Sequence, residues 1–229
     1  MKLREGLRPD LLVDGFDIGP EAPDGFQPVT LATRRGIVEC RHYPVPGAAS
    51  AVVWIGGVGG DFDTPARGLY PKLCRELQAD GIASLRVRFR HPTDLDESTH
   101  DVLAGIGYLE REGVPAFGIV GHAFGGAVAI QAAALFEAVC TVVALATQSD
   151  GTDLVDRLAP RCSLLLVHGS ADRVLPPSCS EQVYALAGGT KRLQFMEGAG
   201  HELDEAAEAV HGLVGDWLRA NLGRGAVRS

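Results

Sequence analysis

Residues 121–126, GHAFGG, join the apolar run AFGIV (116–120) to the small-residue run AVAIQAAALF (127–136). Gly121 and Gly125 let the two arms of a tight turn pass close together, and Gly126 keeps the start of the second run near the first. Near the middle of the turn stands Ala123, whose methyl group offers neither a lone pair nor an acidic proton. Two titratable side chains follow. Asp172 lies in HGSADRVLP, directly after SLLLV (163–167), and His201 lies in EGAGHELDE, after RLQFM (192–196). A carboxylate that accepts a hydrogen bond from one imidazole nitrogen holds the ring in a single tautomer, and the other nitrogen then serves as a general base. Taken singly, an ordinary turn aspartate and a solvated loop histidine would account for both positions. A second glycine-rich turn, WIGGVGGDF (54–62), can aim backbone N–H groups at developing negative charge. It lacks the pattern of a phosphate-cradling loop, because no Lys with a following Ser or Thr stands at the required spacing.

The elements that must position these residues alternate between short β-rich runs and helical patterns, the signature of a mostly parallel sheet with helices on both faces. PVTLATRRGIVECRHYPVP (28–46) reads as a hairpin, AVVWI (51–55) as a buried strand, residues 66–81 as a helix and IASLRVRF (82–89) as a strand. Residues 97–113 form the next helix, followed by the strand 116–120 and the helix 127–136. CTVVALA (140–146), SLLLV and RLQFM are strands, with a short helix near TDLVDRL and another from about Pro177 to Ala187. The last helix puts Val210, Leu213, Val214, Trp217 and Leu218 on one face at helical spacing. Residues 1–26 read as a loosely attached leader with one short strand near LLVDGF, residues 27–222 as a single domain, and 223–229 as a frayed tail.

In order and spacing these motifs resemble the α/β-hydrolase superfamily over roughly residues 28–222, with Ala123 where G-x-S-x-G carries its serine. The resemblance implies an α/β-hydrolase fold. It also implies a triad in chain order: the nucleophile position at Ala123, the acid at Asp172 and the base at His201. Asp150, after the preceding strand, is the alternative acid. The oxyanion donors fall by position on the N–H groups of Val58 and Phe124. Gly56-Gly57 stands where the family often has His-Gly, which leaves the register of the first donor open by one residue. Gly57 and Gln148 are the candidate substrate contacts, with Ser149 beside the latter. His122 reads as a packing residue. Arg86, Arg88 and Arg90 alternate like the polar face of a strand, with Arg90 and His91 at the border of the pocket. Only 16 residues separate Ala146 from Ser163, room for one short helix and no cap, so an open, shallow site is expected.

At 229 residues with 46% apolar side chains, the chain is the size of one large α/β domain. The balance of 21 basic and 29 acidic residues disfavours nucleic acid and anionic membranes as partners and leaves a small molecule as the expected ligand. The charged start MKLREGLRPD and the absence of a long apolar run imply a soluble, cytosolic protein. Cys40, Cys74, Cys140, Cys162 and Cys179 are scattered singly, without metal or redox spacing, and read as reduced and structural. No cofactor and no metal is expected. Three functions fit an alanine at the elbow: an ester or thioester hydrolase whose serine has been engineered away or lost, a pseudo-hydrolase that binds a small molecule or protein partner, or an enzyme using the His–Asp pair as a general base without a covalent step.

Overall fold

The structure is a computed structural model that describes residues 12–223. Residues 1–11 of the expected leader and 224–229 of the expected tail lie outside the described residues. The strands are β1 (Gly15–Ile18), β2 (Gln27–Thr33), β3 (Gly36–Tyr43), β4 (Ala51–Ile55), β5 (Ala83–Val87), β6 (Phe117–His122), β7 (Val139–Leu145), β8 (Ser163–Gly169) and β9 (Lys191–Met196). The helices are α1 (Pro65–Ala79), α2 (Leu95–Arg111), α3 (Phe124–Leu135), α4 (Ser178–Leu186) and α5 (Ala207–Leu222). One sheet of nine strands runs β1-β2-β3-β5-β4-β6-β7-β8-β9. It is antiparallel from β1 through the β3–β5 pair and parallel from β5 to β9.

Because successive side chains of a strand point to opposite faces, each buried strand feeds two cores. Val53 and Ile55 face the layer that holds α2 and α3, whereas Val52 and Trp54 face the layer of α1 and α5. Leu164 and Leu166 divide from Leu165 and Val167 in the same way. Helix α3, apolar on all sides, packs against β6, β7 and α2, which is why its sequence lacks a polar stripe. Such two-faced burial explains the nearly continuous apolar runs from which the strands were read.

Two differences from the sequence reading have identifiable causes. Residues 12–26 are tied to the sheet more firmly than a loose leader would be: β1 pairs along β2, Val13 is buried, and the Arg111 guanidinium donates to the Val13 carbonyl. At the start of α1, Ala66, Arg67 and Gly68 have φ of 50°, 52° and 87°, so the regular helix begins later than expected. That left-handed stretch is held from outside by Ala66 N–H to Glu202 O (2.7 Å) and Arg67 N–H to Asp204 Oδ1 (2.8 Å). The segment between β7 and β8 holds only a 3-10 turn, Val155–Leu158, in line with the expected lack of a cap. All five cysteines are free, three of them buried. No helix among the described residues is long and apolar enough to cross a membrane.

Burial of one histidine makes stability pH-dependent. His42 is 5% exposed and its Nδ1 pairs with the Tyr108 hydroxyl at 3.0 Å. Burial lowers its pKa from 6.5 to about 4. Between those values the unfolded chain binds a proton that the folded chain refuses, so stability falls as the pH drops from 6.5 towards 4. The expected loss from this group is about 3 kcal/mol. Urea unfolding at pH 7 and pH 4.5 should show the slope in the native chain and a clearly smaller one in His42→Phe; equal slopes would remove His42 as the cause.

Candidate active site

Strand β6 enters helix α3 through Ala123, which adopts φ 52° and ψ −115°. This is a strained conformation for a residue with a Cβ, and such strain persists only where the surroundings over-determine it. Here Ala123 N–H donates to Leu145 O at 2.9 Å, and Gly126 N–H donates to Ala123 O at 3.0 Å. The glycines make the approach possible. A Cβ on Gly121 would run into the Gly125 carbonyl, one on Gly125 into the Gly56 carbonyl, and one on Gly126 into the Thr147 side chain. Rigid backbone stands on the far side of the first two contacts. Gly125→Ala is therefore expected to destabilise the fold by about 3 kcal/mol or more, measured by urea unfolding. A loss below about 1 kcal/mol would mean that the turn relaxes freely.

Asp172 and His201 come together beside this turn. The His201 Nδ1–H donates to Asp172 Oδ2 at 2.8 Å, which leaves Nε2 as the lone-pair nitrogen of the neutral ring. The Asp172 side chain is fully buried and that of His201 is 14% exposed. Asp172 Oδ1 accepts from the N–H groups of Val174 (2.8 Å) and Leu175 (3.0 Å), both on its own loop. Oδ2 also receives Nε2 of His168 at 3.1 Å, a nitrogen shared with Leu175 O at 3.0 Å. The His168 Nδ1 in turn pairs with the Ser180 hydroxyl at 2.7 Å. Burial by itself would raise the Asp172 pKa, but the His201 hydrogen bond and the two backbone donors outweigh it and hold the carboxyl below its usual range. The pair is thus built to keep an ionised acid against one edge of the His201 ring.

His122, the neighbour of Ala123, lines the site rather than the core. It is 4% exposed, its Nε2–H donates to His201 O at 3.0 Å, and its ring lies 4.8 Å from that of His201. Burial lowers its pKa, so the ring is neutral at pH 7. On the opposite wall, a Cβ built on Gly57 would lie 3.5 Å from the Ala123 methyl. The Gly57 N–H points to Asp63 Oδ2 at 3.3 Å. Val58, next along the loop, is 57% exposed. Phe124 is the first residue of α3, where a backbone N–H has no partner within its own helix.

A parallel sheet that turns into a helix through a strained residue, with an acid and a histidine delivered from the ends of β8 and β9, is diagnostic. The chain has the α/β-hydrolase fold. Solved structures agree: Est1E from Butyrivibrio proteoclasticus superposes with a TM-score of 0.72 at 16% identity, covering 84% of this chain and 98% of its own. A dienelactone hydrolase from Anabaena variabilis reaches 0.73 at 19% identity, covering 86% and 99%. Est1E with ferulic acid bound gives 0.67 at 17% identity, covering 80% and 95%. No protein-family model matches the sequence, and no curated protein does.

Within this hydrolase fold the other expected residues are distributed unevenly. Asp150 is exposed, and its backbone carbonyl accepts the Gln148 side-chain amide at 2.9 Å, so Gln148 braces its own loop. Arg86 does not form a polar face: it is 4% exposed, and its guanidinium reaches the Phe62 carbonyl and that of Asp63 (3.5 Å). Arg90 turns away from the elbow. It pairs with Asp101 (2.6 Å) and Glu97 (2.8 Å) and lines a separate cavity of about 670 Å³ with Arg34, Arg35 and Arg111. His168, Asp63 and Glu202 were missed as site residues. A histidine ending an apolar strand, as His168 does in SLLLVHG, was the one available signal.

Proposed function

We propose that this is the site of a carboxylic-ester or thioester hydrolase from which only the nucleophilic oxygen is missing, so that the chain as it stands binds ester-type small molecules without forming an acyl-enzyme. The observation that carries the proposal is the hydrogen bond of 2.8 Å between His201 and a fully buried Asp172, set beside the strained Ala123 turn. A serine at 123 would offer its proton to His201 Nε2. The substrate carbonyl would lie over the turn with its oxygen towards the N–H groups of Phe124 and Val58. With a methyl at 123, neither attack nor acyl transfer has an atom to proceed through. Esterase and dienelactone hydrolase structures among the neighbours, one holding ferulic acid, support a small-molecule ligand. The short β7–β8 connection supports an open site that admits bulky esters.

Steady-state assays with short p-nitrophenyl esters test the proposal. Turnover by the native chain is expected to stay near the blank and to be unchanged in His201→Ala, because the base has no hydroxyl to deprotonate. A large further loss in His201→Ala would favour instead a route in which the His201–Asp172 pair activates water or an acidic substrate.

A further inference from the structure

We propose that His122, His201 and Glu202 form a binding site for a divalent transition-metal ion of the zinc type, in the cleft beside Ala123. One ligand atom from each of the three lies within 4.8 Å of the other two. Zinc binds imidazole nitrogen and carboxylate oxygen at about 2.0–2.2 Å in a tetrahedron, so the ligand atoms of one ion stand about 3.4 Å apart. From a spread of up to 4.8 Å the three must draw together by up to about 1.4 Å, by rotation of the exposed Glu202 side chain and a smaller approach of the two rings.

Both imidazoles are already oriented as ligands. His201 gives Nδ1–H to Asp172, which leaves Nε2 free to coordinate. His122 gives Nε2–H to the His201 carbonyl, which leaves Nδ1. A carboxylate or carbonyl behind each ring is the arrangement that fixes tautomer and raises basicity at metal sites. Alanine at position 123 contributes directly. A serine hydroxyl there would donate to His201 Nε2 and compete with an ion for that lone pair, and the methyl cannot.

A separate observation points the same way. Asp63, just after the glycine-rich loop, adds negative charge that acts on His122, while its Oδ2 accepts the Gly57 N–H at 3.3 Å. An ion held by two histidines and one glutamate keeps an open position for water. The site shares Nε2 of His201 with the base of the proposed hydrolase, and metal binding is read without any ester assay.

Cobalt(II) titration of the native chain, followed by visible absorption and by displacement with zinc, tests it. One equivalent is expected to bind, with ligand-field bands that zinc abolishes. Glu202→Ala, at an exposed position, should weaken binding by at least about ten-fold, as should His122→Asn, with thermal melting used to confirm that each variant is folded. His211→Ala, on α5 and paired with Glu76 at 3.0 Å, should leave binding unchanged. Ala123→Ser should weaken it. No saturable binding, or binding that Glu202→Ala and His122→Asn leave intact, would overturn the proposal. Neither outcome bears on whether a serine at position 123 acquires covalent reactivity.

Discussion

Ala123→Ser is expected to raise hydrolysis of short p-nitrophenyl esters by at least about a hundred-fold over the native chain. Only one oxygen is added. The turn already holds residue 123 at φ 52°, with the glycines on either side packed too closely to admit a side chain. The added Oγ would enter the space beside Gly57 and His122, on the side of the turn where the His201 ring packs 4.8 Å from that of His122. In a serine protease, loss of the nucleophile costs about a million-fold in turnover, so a hundred-fold gain asks the scaffold to recover only part of that span. Parallel measurements of turnover and thermal melting would separate a catalytic gain from a change in folding. A folded serine variant no faster than the native chain would leave binding, rather than hydrolysis, as the role of the cleft.

The second large effect is the collapse of that gain when the base is disarmed. In the Ala123→Ser background, His201→Ala should return turnover to the native level, since groups that act as a unit fail together. Asp172→Asn should do nearly the same by another route. An asparagine can present its amide to His201 Nδ1 and select the wrong tautomer, an effect of about four orders of magnitude where it has been measured in a protease triad. His168 allows a finer test, because it donates to the same Asp172 oxygen at 3.1 Å. Retention of most of the gain in either His201→Ala or Asp172→Asn would show that the pair is not the base.

The architecture was legible because fully buried parallel strands must be apolar on both faces. AVVWI and SLLLV therefore announced β4 and β8 without ambiguity. GHAFGG was legible for a different reason, since Gly121 and Gly125 answer to close backbone approaches, and Gly126 to the Thr147 side chain, that leave no room for a Cβ. Helix α3 nevertheless begins at Phe124, three residues earlier than the pattern suggested, because Gly125 and Gly126 serve close packing inside a helix and not a longer turn. What the sequence concealed depends on distant partners. The left-handed residues at the start of α1 are fixed by Glu202 and Asp204 from across the chain. Arg86 looked like a surface residue of an alternating strand, but it is buried by the loop that carries Phe62. Asp63 and Glu202 have no local signature, as their relation to His122 exists only after folding.

Fluorophosphonate labelling of the Ala123→Ser protein, read by intact mass and peptide mapping, addresses the proposed hydrolase site most directly. The probe needs an activated oxygen beside a base and oxyanion donors, and it reports covalent capture without any assumption about the natural substrate. One adduct per chain is expected, mapped to the introduced serine and abolished by His201→Ala. A folded serine variant that takes up no probe would contradict the account of Ala123, Asp172 and His201 as hydrolase machinery lacking only its nucleophile.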